Sequence, residues 1–396
     1  MEAEWIVGLG TASSASRPNE LDVAPNGDIY VVPMNGGRDL SRPASAPPLF
    51  TGVGVVRITP DGVVASGANI GNSVLAATSA GYVVADWFVG TYSGVAMAGL
   101  VCPLGLRCMA VVGLDSTHHV LWSRMTVGTY TAPPYVTDME RVGDLVVAVG
   151  SFSGPIDLGG GVLADDGTTP GFVWTFDARD GSYVRAFRVP GSPAVVHTRA
   201  DESVLVSANF SGTITVGGVT FAARGVGPYY VARFSTTGVA TSVHPFDGGF
   251  GSFEPPWPTA VDGDDDAVSR VDGQLIRVFD GSDALVGSFA ASTGLVPWWL
   301  EDTGASLVSV GTGDGTAIGG VMVPATSAYI LRLGRHDASF GGVASFTIRG
   351  QRGRARAVDA DHIVVAVPAL NLSLGSVSMS TRSSDSATFI ARIRIR

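Results

Sequence analysis

VGDLVVAVGSFSGPIDLGGGVLADDGTTPGFVWTFDARDGSYVRAFRVPG, residues Val142–Gly191, decides the fold. VGDLVVAVG (Val142–Gly150) is a turn followed by a β-branched run. GFVWTFD (Gly171–Asp177) is a second run, rich in aromatic and β-branched residues. DARDG (Asp177–Gly181) then turns into a third, SYVRAFRVP (Ser182–Pro190). Such side chains fit a pleated surface, and Gly, Asp and Pro bound each run, so the unit reads as strands of an antiparallel meander. Apolar spacing of helical period does not occur in it.

The unit recurs. The second run returns as VVRI ending at Ile58, AVVGL at Leu114, YVARF at Phe234, LIRVF at Phe279, YILRL at Leu333 and FIARI at Ile393. With FVWTF at Phe176 that makes seven copies, about 56 residues apart. The first run returns as GDIYVV at Gly27, GYVVAD at Gly81, ESVLVSA at Glu202, ASLVSV at Ala305 and HIVVAV at His362, and in degraded form as DAVSRV at Asp266. A period of this size with four strands per unit predicts an all-β, seven-bladed β-propeller of four-stranded antiparallel blades, forming one domain over residues 1–396. At the N-terminus, EWIVGLG (Glu4–Gly10) matches YVRAFRV, an outer strand, whereas the seventh copy ends FIARIRIR at Arg396 with no residues left for one. The expected solution is exchange, with Trp5–Gly10 completing the last blade and closing the ring.

The order of these parts resembles the SBBP-type bacterial β-propeller repeats: turn, Gly-Asp, apolar run, Gly-rich insert, an FVAR-like run, then an outer strand with Trp or Phe. The likeness is sharpest at GSFSGPIDLGGGVL (Gly150–Leu163) and ANFSGTITVGGVTF (Ala208–Phe221), weaker at NLSLGSVSMS (Asn371–Ser380), and fades in the fifth unit. It implies a bacterial secreted or surface protein and carries over no catalytic residue.

Composition narrows the function classes. The net charge of −10 argues against nucleic acid, and no apolar stretch reaches the length of a membrane span. All 25 basic residues are Arg, so lysine Schiff-base and phosphate-loop chemistry is excluded. No signal-peptide pattern opens the chain. The two cysteines, Cys102 and Cys108, are spaced to close a small loop; a disulfide is expected, with reduced thiols and metal ligation as the other readings. A disulfide would indicate an oxidising, extracytoplasmic compartment, as the resemblance does. Asp262, Asp264 and Asp266 alternate like the start of a calcium loop, but Ala267 and Gly273 stand where Gly and Glu are required, so a solvated turn is expected. No cofactor is expected.

The connections from an outer strand to the next inner strand are long and rich in rings and charges. They include TYTAPPY (Thr129–Tyr135), FDGGFGSFEPPWP (Phe246–Pro258), LVPWW (Leu295–Trp299) and RGQRGRAR (Arg349–Arg356). Tyr130, Tyr135, Phe250, Glu254, Trp257, Trp298 and Arg354 are therefore the candidate ligand-binding residues on the channel face. Aromatic rings stack on apolar sugar faces, while carboxylates and guanidinium groups hydrogen-bond hydroxyls. The competing reading makes Trp257, Trp298 and Trp299 wedges between blades. Two function classes remain: a monomeric, non-catalytic binding or scaffold propeller for a glycan, peptide or protein partner, and a carbohydrate-active hydrolase or lyase using Glu254, Asp247 and an Arg such as Arg354.

Overall fold

The computed structural model describes residues 1–10, 18–33, 38–40, 49, 54–70, 74–91, 99–128, 134–165, 170–199, 201–246, 248–249, 259–261, 267–271, 275–279, 285–290, 296–313, 315–324, 327–335, 337–347, 353–369, 371–374, 376–380 and 387–395. Strands fill it. In Leu145–Ser151, Val146, Val147, Ala148 and Val149 are all buried, and its partner Gly171–Asp177 is buried over six consecutive residues. A strand covered on both faces needs apolar side chains on both, which is why these runs are continuous and not alternating.

Six sheets of four antiparallel strands follow the repeat. The first is Pro18–Val23, Ile29–Pro33, Gly54–Ile58 and Val64–Asn69, and the second Val74–Ala77, Gly81–Phe88, Arg107–Asp115 and Val120–Gly128. The third is Tyr135–Val142, Leu145–Ser151, Gly171–Asp177 and Tyr183–Val189, and the fourth Ser192–Thr198, Val204–Asn209, Tyr229–Phe234 and Ala240–Phe246. The fifth is Thr259–Val261, Ala267–Val271, Leu275–Phe279 and Leu285–Ala290, and the sixth Val296–Asp302, Ser306–Gly313, Ser327–Gly334 and Phe340–Thr347. The closing sheet joins Arg354–Asp359, His362–Ala369 and Ala387–Arg394 to the N-terminal strand Glu2–Gly10, which lies antiparallel on Ala387–Arg394.

The expectation of seven four-stranded blades is corrected here. Among the described residues six sheets have four strands; the closing sheet has five, because Arg38–Asp39 pairs with Leu9 and Gly10 on the outer side of the N-terminal strand. The expected strand exchange is present and begins at Glu2, ahead of Trp5.

The outer strands share one irregularity. In the six four-stranded sheets, a single residue near the start of the outer strand is skipped in the pairing: Ala65, Leu121, Val184, Thr241, Val286 and Gly341. The N-terminal strand skips Glu4 at the same place, between Ala3 opposite Ile393 and Trp5 opposite Arg392. A one-residue bulge recurring in register marks a designed feature that bends and twists an edge strand.

The chain forms two compact units: residues Met1–Asn69 with Trp257–Arg396, and residues Ile70–Pro256. Within each, hairpins inserted between the second and third strands fasten a sheet to the one before it. These are Ile156–Asp157 with Val162–Leu163, Thr213–Val216 with Val219–Ala222, Thr316–Ile318 with Val321–Val323, and Asn371–Leu374 with Val377–Ser380. Ile156 and Leu158 share a core with Met109 and Trp122 of the second sheet, and Val216 with Val173 and Val189 of the third. Ile318 and Val323 join Ile276 and Val278 of the fifth sheet, and Leu372 joins Val310 and Ile330 of the sixth.

Tryptophans fasten neighbouring sheets from the outer strands. The Trp122 indole N–H donates to Ala178 O (2.9 Å), and that of Trp5 to Pro60 O (3.0 Å). Each ring covers a glycine at positive φ, Gly181 at +69° and Gly62 at +82°, where an added Cβ would lie 2.5 and 2.7 Å from the ring. Gly181→Ala combines a left-handed L-residue with overpacking and should cost about 2–4 kcal/mol, read from urea unfolding.

The second sheet carries the expected disulfide, Cys102–Cys108, with S–S 2.11 Å. Replacing both cysteines by serine opens a loop of sequence separation 6 and should lower stability by about 2 kcal/mol. Identical urea midpoints for the two proteins would contradict this.

Candidate functional site

The innermost strands hold the ionisable groups that the repeat places in register. Four of them carry a bulge at their start: Asn19, Thr137, Ala194 and Trp298 are skipped, and pairing resumes at Glu20, Asp138, Val195 and Trp299. From there side chains alternate, so Glu20 and Asp22, Asp138 and Glu140, Val195 and His197, and Trp299 and Glu301 occupy equivalent positions. Arg354 and Arg356 hold these positions in the closing sheet, opposite Ala366 and Val364.

In the unit built from both ends of the chain, three of these strands run side by side: Val296–Asp302, Arg354–Asp359 and Pro18–Val23. Arg354 Nη2 donates to Glu20 Oε1 at 3.2 Å, and its guanidinium lies 4.6 Å from the centre of the Trp299 ring. Arg356 lies 5.1 Å from the same ring centre and is shared between Asp22 (3.5 Å) and Glu301 (3.6 Å). Glu301 accepts the Trp299 indole N–H (3.1 Å) on one oxygen and the Ala357 amide (3.0 Å) on the other. The five charged side chains are 9–17 % exposed. Burying charges to this degree costs free energy, which pairing them with each other offsets.

The middle unit uses the same positions in the same way. Asp138 accepts the Val196 amide at 2.9 Å across to the next inner strand. Glu140 takes the Thr198 amide at 3.3 Å and lies 3.2 Å from His197 Nδ1. Thr137, the bulge residue, donates its hydroxyl to Pro193 O at 2.8 Å.

Of the sequence-expected ligand residues, Tyr135 opens the inner strand of the third sheet and is exposed, at 37 %. Trp298 is the bulge residue of Val296–Asp302, and Arg354 sits on the adjacent inner strand, tied to Glu20. The bulge shifts the register by one, so Trp298 is skipped in the pairing, which resumes at Trp299, buried at 4 % exposure. Tyr130, Phe250, Glu254 and Trp257 lie outside the described residues, as do Asp247 and the acidic run Asp262–Asp266. Sequence reading missed Glu20, Asp22, Arg356 and Glu301; the available signal was a Pro followed two residues later by alternating side chains, as in Pro18-Asn19-Glu20 and Pro297-Trp298-Trp299.

A cavity of about 260 Å³ opens elsewhere, beside the short turns, lined by Ser306, Arg332, Ser339, Asp361 and Ile395. Arg332 spends its guanidinium there on Ile395 O (2.6 Å) and Gly341 O (2.9 Å). Among the described residues no group of three or more His, Cys, Asp or Glu side chains is placed to hold a metal ion.

Turn carboxylates are held ionised. Burial pushes the Asp115 carboxyl up, but the amides of His119 and Thr117, the Thr117 hydroxyl and the His119 charge outweigh it and hold the group at about 2. Asp177, Asp180 and Asp201 are also held below the usual range, in each case chiefly by hydrogen bonds from Arg179, Ser182 and Ser203 respectively. Because its folded pKa is depressed, Asp115 supports its turn fully above the ordinary carboxylate range and loses that support as pH falls through about 2. A carboxyl-carbon NMR titration should find its midpoint there; a midpoint at 3.8, the ordinary value, would contradict the turn geometry.

No family model and no curated protein matches the chain. Solved structures do. A structure of U3-55K superposes with a TM-score of 0.53 at 12 % identity, covering 99 % of this chain and 99 % of that one. The Dos1 propeller gives 0.50 at 11 % identity, over 98 % and 94 %. The β-propeller domain of Cps50 (Swd1) from Myceliophteria thermophila gives 0.51 at 8 % identity, over 98 % and 99 %. The chain folds as a β-propeller. At these identities the likeness concerns the fold alone. The four-stranded antiparallel sheets are its blades.

Proposed function

We propose that this propeller is a non-catalytic binding or scaffold protein that recognises a glycan, peptide or protein partner on its channel face. The observation that carries this reading is how the inner strands use their charges. Glu20, Asp22, Glu301, Arg354 and Arg356 in one unit, and Asp138 and Glu140 in the other, are engaged by neighbouring strands. Groups so engaged position a surface and do not exchange protons with a substrate. Recognition then falls to the connections ahead of the inner strands, where Tyr135 is exposed.

In this reading residues 1–396 form one domain, and the five-stranded closing sheet is its seventh blade. The support is that its N-terminal strand carries the same outer bulge as the other six sheets. The double-glycine hairpins support the SBBP-type resemblance. The disulfide supports an extracytoplasmic location. No helix among the described residues is long and apolar enough to cross a membrane.

Glycan-array and pull-down binding, followed by turnover assays on the ligands found, tests the proposal. With such a ligand, Trp257→Ala and Tyr135→Ala should each weaken binding by about 1–3 kcal/mol without lowering the melting temperature. A Trp257→Ala variant that melts earlier and binds unchanged would make Trp257 a wedge and remove it from the site. Turnover that depends on Glu254 and Asp247 would replace the proposal by the hydrolase or lyase reading.

A further inference from the structure

Six outer strands follow directly in sequence on the strand they pair with. The N-terminal strand does not: residues 11–17 link it to the first sheet, while its partner Ala387–Arg394 is at the other end of the chain. The bulge residue differs in the same way. It is Ala65, Leu121, Val184, Thr241, Val286 or Gly341 where a turn supplies the strand, and Glu4 where none does.

We propose that Glu4 is a salt-sensitive clasp that fastens the N-terminal strand to Ala387–Arg394 and to His362 beside it. Glu4 Oε1 lies 2.8 Å from Arg394 Nη2 and 3.1 Å from His362 Nε2, and Oε2 lies 3.2 Å from Arg392 Nε. One carboxylate thus meets three donors from two strands. The bulge is what makes this reach available, because a skipped residue is released from the alternation of its strand.

Charge complements the geometry. Residues 1–10 contain Glu2 and Glu4 and no basic residue, whereas the edge presents Arg392 and Arg394. Asp359 backs the edge, 2.8 Å from His362 Nδ1 and 3.8 Å from Arg392 Nη2. Burial pushes the Asp359 carboxyl up, but the Asp361 amide, His362 and Arg392 outweigh it and keep it ionised. Beside the clasp, Trp5 Nε1 and Arg392 Nη1 both donate to Pro60 O, at 3.0 and 3.3 Å, which ties the docked strand to the first sheet. A strand returned by a tight turn re-pairs at high effective concentration; one tethered through a longer path to another sheet gains more from a specific fastener.

The clasp is partly open to water, with side-chain exposures of 29 % for Glu4 and 55 % for Arg394, so salt should weaken it. Amide hydrogen exchange of the intact chain, at about 20 mM and about 0.5 M salt, tests the idea. At low salt Glu4→Gln should raise exchange of residues 2–10 about tenfold, and high salt should bring the unsubstituted protein close to the variant. Arg394→Gln, a milder change at an exposed position, should raise it about threefold and keeps the test valid if Glu4→Gln folds poorly. Glu202→Gln, which removes a carboxylate paired with Arg185 on the third sheet's outer strand, should leave residues 2–10 as they were. Unchanged exchange of residues 2–10 in both Glu4→Gln and Arg394→Gln would overturn the proposal, as would an equal salt response with and without the Glu4 carboxylate.

Discussion

A protein lacking residues 1–10 is expected to lose cooperative folding of the unit that contains both chain ends. The N-terminal strand buries Ile6, Val7 and Leu9 against two cores: Ile6 with Val365 and Phe389, and Val7 and Leu9 with Val364 and Ile390. Fully burying an aliphatic side chain of this size is worth about 1.5–3 kcal/mol, so these three alone supply about 4.5–9 kcal/mol. That matches the whole stability of an ordinary domain. The deletion also strips Ala387–Arg394 of its antiparallel partner along its full length and removes the strand on which Arg38–Asp39 pairs. Urea unfolding followed by circular dichroism should show a collapsed or absent transition. An unchanged midpoint with an unchanged slope would show that the exchanged strand is dispensable.

The strands in the middle of each sheet were legible because burial on both faces forces an uninterrupted apolar run, as in Leu145–Ser151. The exchange was legible because EWIVGLG matches the outer-strand run YVRAFRV. The outer-strand bulges leave no such trace. The skipped residues include Ala65, Leu121 and Glu4, which share no chemistry, since a bulge demands one extra residue and not a particular one. A single-residue shift of this kind in Val296–Asp302 leaves Trp298 out of the pairing and sets Trp299, which is buried, in it. Arg38–Asp39 was missed because a two-residue strand has no period. The candidate site was less legible still. Arg354 was expected as a ligand-binding residue, yet its partner Glu20 stands 334 positions earlier, on a neighbouring inner strand.

The largest single-residue effect is expected at Trp299. Its indole packs in the core with Ala3, Ile6, Val308 and Val310, and it faces the guanidinium groups of both Arg354 and Arg356. Trp299→Ala removes the ring volume, worth about 3–5 kcal/mol in a core. It also removes two cation–π contacts, each about 0.5–2 kcal/mol, and the N–H donated to Glu301. The terms overlap, because the guanidinium groups keep their carboxylate partners Glu20, Asp22 and Glu301. The volume term therefore sets the scale, and a loss of about 4 kcal/mol is expected. Trp299→Phe separates the contributions: it keeps a ring face for the two arginines and gives up the indole N–H, so its cost should stay near 1 kcal/mol. Chemical denaturation of both variants reads these values directly. A Trp299→Ala protein as stable as the original, but unable to bind a partner that the original binds, would reverse the assignment. The ring would then belong to the recognition surface, and the paired arginines beside it would be part of that surface too.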